Sequence, residues 1–139
     1  MRRLLVDLNV VLDVILDRKD APIAARLWAA IETGKGTGIL PAHGLTTIHY
    51  LVARARGPAF ARRAIDGLLH VFEVAPVDER VLRRAVALGW SDFEDAVCAA
   101  TAEMARCDAI VTRDPKGFAA SPTRPIDPAT ALAWLVASK

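Results

Sequence analysis

The sequence predicts an α/β fold, a three-layer α/β/α sandwich with a central parallel sheet of four to five strands. Short apolar β-branched segments alternate with stretches of helical periodicity along the chain. Glycine, proline and capping residues punctuate the changes from one to the other. No internal repeat, low-complexity tract or interdomain linker interrupts the alternation, so one domain over residues 1–139 is expected. Strands separated by helices imply crossovers, a parallel sheet and helices on both of its faces.

The elements follow in order. Leu4–Val6 reads as the first strand, ending at Asp7, and a short helix runs from about Val10 to Leu16. Pro22 suits the first turn of a second helix, which Ile23, Leu27 and Ile31 continue at helical spacing. Gly34-Lys35-Gly36 stops it, and Thr37–Leu40 is a second strand. Helix returns from His43 to about Arg56, breaks at Gly57-Pro58 and resumes from Ala59 to Leu69. Val71–Val74 reads as a third strand. Asp78 caps a helix that reaches Leu88 and stops at Gly89. Ser91, with Glu94 three residues on, reads as a capping box for a helix running to about Arg106. Ala109–Thr112 is a fourth strand, Pro125–Ile126 a short fifth, and Pro128–Ala137 a last helix.

Composition narrows the function classes. Apolar residues make up 53% and charged residues 24%, a globular balance. The apolar runs are too short to cross a bilayer, and Asp7 falls where a signal peptide would still be apolar. A cytoplasmic protein without membrane association is therefore expected. Cys98 and Cys107 lack zinc-knuckle spacing and read as buried small hydrophobes in a reducing compartment. A net charge of +2 is compatible with nucleic acid without demanding it.

Chemistry is expected beyond the carboxyl ends of the strands, where open α/β sheets bind ligands. Asp7 follows the first strand and Asp114 the fourth, so both fall at one edge of the sheet. Asp92 and Asp95 are three apart on a helix and share a face. Phe93, Val97, Ala100 and Met104 form a separate apolar stripe that can dock this helix on the sheet. Carboxylates gathered in one cleft raise one another's pKa unless a cation compensates. A hard divalent ion, Mg2+ or Mn2+, suits such oxygen donors. It would neutralise charge on a phosphate and activate water, which is nuclease chemistry.

Three blocks resemble the PIN domain family: Leu4-Leu5-Val6-Asp7-Leu8-Asn9-Val10, Ser91-Asp92-Phe93-Glu94-Asp95-Ala96-Val97 and Ile110-Val111-Thr112-Arg113-Asp114-Pro115-Lys116-Gly117-Phe118. The resemblance spans nearly the whole chain and implies an RNA-cleaving enzyme that uses magnesium or manganese. It implies that Asp7, Asp95 and Asp114 are the catalytic and metal-holding residues. It further implies that Asn9 supports the first aspartate, that Thr112 is a hydroxyl beside the metal and that Asp92 sits just behind it. The chain resembles in particular the VapC-like toxins of toxin–antitoxin pairs, which implies RNA, a cognate antitoxin and a second copy of the chain as partners. One departure matters. The family's glutamate on the helix after the second strand is replaced here by Thr47, and no carboxylate occurs from His43 to Phe60. Thr47 and His49 are then the candidates to contribute through water. The alternative is a degenerate module that binds RNA or protein without cutting.

Arg113 and Lys116 flank Asp114 and are the first candidates for phosphate contacts, followed by Arg54 and Arg56 near the Gly57-Pro58 break. Leu12, Val14, Ile15 and Leu16, with Trp28 and Ile31, offer either core or a surface for a partner. A haloacid-dehalogenase phosphatase would want Asp-x-Asp, but the third position here is Asn9. A dinucleotide site would want glycines in the turn Asp7-Leu8-Asn9-Val10, and there are none.

Overall fold

Leu4 and Leu5 are both completely buried although they are neighbours in one strand. Successive side chains of a strand point to opposite faces, so this strand has a core on each side. The computed structural model describes residues 1–137. The elements are β1 (Arg3–Val6), α1 (Leu8–Ile15), α2 (Ala21–Glu32), β2 (Thr37–Pro41), α3 (Ala42–Arg56), α4 (Pro58–Val71) and β3 (Glu73–Ala75). They continue with α5 (Glu79–Leu88), α6 (Phe93–Met104), β4 (Ala109–Val111), a 3-10 turn (Pro115–Phe118), β5 (Pro125–Ile126) and α7 (Pro128–Ala137). The five strands are all parallel, in the order β3-β2-β1-β4-β5.

The two faces carry different helices. Leu4 and Val6 join the larger core with residues of α1, α2, α3, α4 and α7. Leu5 joins Ile39 of β2 and Ile110 of β4 under Cys98, Ala99 and Ala102 of α6. Val81 and Ala85 of α5 pack on Ala96, Val97 and Ala100 of that helix from the outside. The architecture is the expected α/β/α sandwich. No helix among the described residues is long and apolar enough to cross a membrane.

Three local expectations need correction. Val71 is the last residue of α4, and the third strand lies later, over Glu73–Ala75. Leu68, Val71 and Phe72 belong to the large core, so packing of α4 holds the last turn against the β-propensity of Val and Phe. The cap of α6 is Asp92, whose Oδ1 accepts the Asp95 backbone N–H at 3.0 Å; Ser91 lies outside the helix. A carboxylate is the better acceptor at the positive end of a helix. The docking stripe is also different. Phe93 is 47% exposed and Met104 is exposed as well, while Ala96, Cys98, Ala99 and Ala102 meet the interior. Small residues bring the helix axis close to the sheet, where a phenylalanine would hold it off.

Of the six apolar residues on α1 and α2 that offered core or partner surface, Leu12 and Ile31 are buried. Val14, Ile15, Leu16 and Trp28 pack half-buried against the large core. Core packing accounts for all six. Close approach also explains one glycine. A Cβ on Gly38 of β2 would lie 2.6 Å from the Phe72 ring and 3.0 Å from Ile31 Cδ1. That ring is pinned edge-on by Trp28, with centroids 5.4 Å apart. Gly38→Ala is expected to cost about 1–3 kcal/mol of stability through overpacking, read as a lower urea midpoint at unchanged slope.

Candidate active site

The sheet order reverses at β1. The chain builds outward through β2 and β3, then returns to lay β4 on the other side of β1. Such a switch point opens a crevice at the carboxyl ends of the two strands. Asp7 leaves β1 there, and its backbone N–H still pairs with the Val111 carbonyl of β4 at 2.9 Å. The Thr112 hydroxyl donates to Asp7 Oδ2 at 3.2 Å and accepts the Asp114 backbone N–H at 3.1 Å. One buried hydroxyl thus ties both strand-end aspartates into one frame.

Asp7 is 7% exposed. Burial, then the negative charge of Glu94, pushes its carboxyl up to about 6, against the pull of the Thr112 hydroxyl and the Asn9 and Leu8 amides. Asn9 meets Asp7 through its backbone N–H, as Leu8 does. Asp95 is pushed up to about 7, first by burial and then by the charges of Asp92, Glu94 and Asp7. Oxygens of Asp92, Glu94 and Asp95 lie within 4.8 Å of one another. Asp114 closes the group from the other side. A Cβ built on Gly117 would stand 2.9 Å from Asp114 Oδ2 and 4.0 Å from Asp95 Oδ2, so both carboxylates crowd the bare backbone at Gly117. The three strand-end and helix aspartates named from the sequence thus border one crevice.

Sequence reasoning missed Glu94. It reads as the second half of a capping box, yet its carboxylate is bonded to other residues. Glu94 Oε2 lies 3.1 Å from His43 Nε2 of α3 and accepts the Cys98 thiol at 3.1 Å. The His43 hydrogen bond leads in holding its pKa below the usual glutamate range, with the Cys98 hydrogen bond adding to it against burial. Glu94 therefore stays ionised beside Asp7 and Asp95. Three acidic residues in the four positions from Asp92 to Asp95, more than any cap needs, are the signal that could have found it.

Asp13 was missed as well. It is 1% exposed in α1, and neither carboxylate oxygen has a hydrogen bond of good geometry. Its compensation is ionic: Arg113 Nε at 3.4 Å and Arg18 Nη1 at 3.9 Å. Burial raises its pKa, and the two guanidinium groups oppose the rise. Arg113 also reaches Asp20, with Nη1 3.7 Å from its carboxylate. It is thus committed to α1 and the start of α2, next to the loop that carries Asp114.

The other named residues lie at the rim of the crevice or beyond it. Thr47 is half-buried one helical turn after His43, while His49 is exposed on α3. Lys116 is exposed and borders a groove with Trp90, Ser91, Asp92 and Gly117. Arg54 lies over Tyr50 at 5.6 Å and Arg56 over Phe60 at 4.3 Å. Both are at the far end of α3, roughly 16–20 Å along the helix from His43 at 1.5 Å per residue.

Carboxylates that repel one another at the mouth of a parallel sheet are hard oxygen donors suited to a divalent cation. The donor set fits a divalent cation such as Mg2+ or Mn2+, whose charge would offset the burial and the mutual repulsion that raise Asp7 and Asp95.

Comparison with known proteins agrees with this fold. VapC20 of Mycobacterium tuberculosis, described as a toxin that cleaves the sarcin-ricin loop, superposes with a TM-score of 0.69 at 22% identity, over 84% of this chain and 94% of that one. A chain of the DNA-bound VapBC complex of Salmonella typhimurium gives 0.72 at 15% identity, over 92% and 99%. A chain of FitAcB from Neisseria gonorrhoeae gives 0.72 at 19% identity, over 91% and 98%. No curated protein matches the sequence. The PIN domain family model matches residues 3–116. With the fold, the crevice and that match in agreement, the chain belongs to the PIN domain family.

Proposed function

We propose that this chain is a metal-dependent endoribonuclease, the toxin of a toxin–antitoxin pair, acting on RNA in the cytoplasm. One observation carries the reading: at the switch point of the sheet the Thr112 hydroxyl ties Asp7 to Asp114, and the Asp114 and Asp95 carboxylates meet at the bare backbone of Gly117. Asp7, Asp95 and Asp114 would hold the cation, Mg2+ or Mn2+, with Glu94 supplying the negative charge that α3 lacks. When bound, the ion lowers the pKa of a coordinated water and neutralises charge on the phosphate.

The chain's own groups do the rest. Thr112 orients Asp7 and the Asp114 backbone together. His43 and Cys98 hold Glu94 turned toward the aspartates. Asp92 keeps Asp95 at the helix start by capping its amide. Lys116, exposed at the rim, is placed to meet a phosphate, whereas Arg113 acts mainly by bracing the Asp114 loop. Arg54 and Arg56 would contact RNA farther from the cut. The structural neighbours include toxin–antitoxin complexes, which supports an antitoxin as partner; a second copy of the chain is proposed beside it.

The test is incubation of the purified protein with total cellular RNA, with and without Mn2+, followed by mapping of the cut ends. Discrete new ends that need the metal support the enzyme. An intact RNA pool with either metal favours the binding-only alternative.

A further inference from the structure

Glu94 and Cys98 are one helical turn apart on α6, so their side chains share a face. His43 comes to them from α3. One ligand atom from each of the three lies within 4.8 Å of the other two. Cys98 is fully buried and its thiol points at the Glu94 carboxylate, with no disulfide partner. An i, i+4 pair on one helix with a third donor from a facing helix is how proteins build a chelate. The donors also differ in kind from the aspartates beside them. A thiol and an imidazole are poor ligands for Mg2+ and good ones for Zn2+.

We propose that His43, Glu94 and Cys98 form a second, reversible site for Zn2+, and that zinc there draws Glu94 away from the acidic centre and inhibits the enzyme. The exchange balances. Cys98 loses its proton to solvent as the sulfur takes the metal, and the imidazole presents the Nε2 lone pair with its proton on Nδ1. His43 Nδ1 is buried without a hydrogen-bond partner among the described residues. It lacks the outer acceptor that normally strengthens a zinc-bound histidine. Three protein ligands and an unsupported imidazole make an open, weaker site than a structural zinc, as a reversible inhibitor requires. The metal-binding half stands independently of the proposed nuclease activity, while the inhibition half rests on it.

The test uses the full chain with Co2+ as a spectroscopic stand-in for zinc, in excess Mg2+ to occupy the carboxylates. Cobalt bound to thiolate absorbs strongly in the near ultraviolet; cobalt on carboxylates does not. The wild type is expected to develop this band, and added Zn2+ to erase it. Cys98→Ser is expected to abolish the band, and His43→Ala to weaken cobalt binding at least tenfold. Zn2+ is expected to slow RNA cleavage at least tenfold in the wild type and less than twofold in Cys98→Ser. No band at cobalt saturation, or a band unchanged in Cys98→Ser and therefore due to Cys107, overturns the site. A chain that cuts no RNA but shows the band removes the nuclease reading and leaves the zinc site standing.

Discussion

Asp95→Asn is expected to lower metal-dependent RNA cleavage by at least about 100-fold while the protein stays folded. Loss of a group merely behind a metal ligand costs 10–100-fold, and Asp95 is assigned to the ligands themselves. Its carboxylate stands among Asp92, Glu94 and Asp7, and near Asp114 across Gly117. Asparagine keeps the shape and removes the charge. The backbone N–H that Asp92 caps is untouched, so α6 should keep its start. Asp7→Asn is expected to behave alike, and Asp92→Asn to lose far less, since asparagine is an equally good cap. The measurement is the initial rate on a labelled RNA at saturating Mn2+, with circular dichroism as the control for folding. Undiminished cleavage by Asp95→Asn removes that residue from the site.

A second large effect is expected in stability without metal. The Asp7 carboxyl sits at about 6 in the folded chain, raised from an ordinary 3.8. Below about pH 4 both folded and unfolded chains carry the proton, and Asp7 costs nothing relative to Asn. Between there and about 6 the folded chain binds more protons, so stability falls as pH rises. Above that window the full penalty of about 3 kcal/mol is present, at 1.36 kcal/mol per pKa unit. In a chelator, Asp7→Asn should thus match the wild type near pH 4 and exceed it by about 3 kcal/mol above neutrality. Urea titrations across that range give the difference directly. Mn2+ should close the gap by stabilising only the chain that keeps Asp7. A gap that does not change with pH would mean that Asp7 carries no buried charge.

The layered fold was legible because its signals are periodic: the alternation of strands and helices, and the caps at Asp78 and Gly89, give the elements directly. The placement of Asp7, Asp95 and Asp114 along one edge of the sheet was legible because each follows a strand or opens a helix there. Glu94 was not, because a glutamate three residues after a serine near a helix start has an ordinary local explanation. Only the approach of His43, from 51 positions away, shows that the carboxylate turns elsewhere. The same limit hid the fate of Arg113. Beside Asp114 it reads as free to meet phosphate, but its neighbours in space are Asp13 and Asp20. The apolar stripe on α6 failed for a different reason: hydrophobic size was weighted over fit, and alanines won the interface.

That alanine surface would decide which ions the proposed site accepts. Asp95 and Glu94 ride on α6, whereas Asp7 and Asp114 ride on the strands, so the width of the seam between helix and sheet sets how far apart the two pairs stand. Ala99 and Ala102 act as thin shims in that seam. A thicker shim at either position would widen the cradle, and with it the preference between small and large cations, without touching a single oxygen donor.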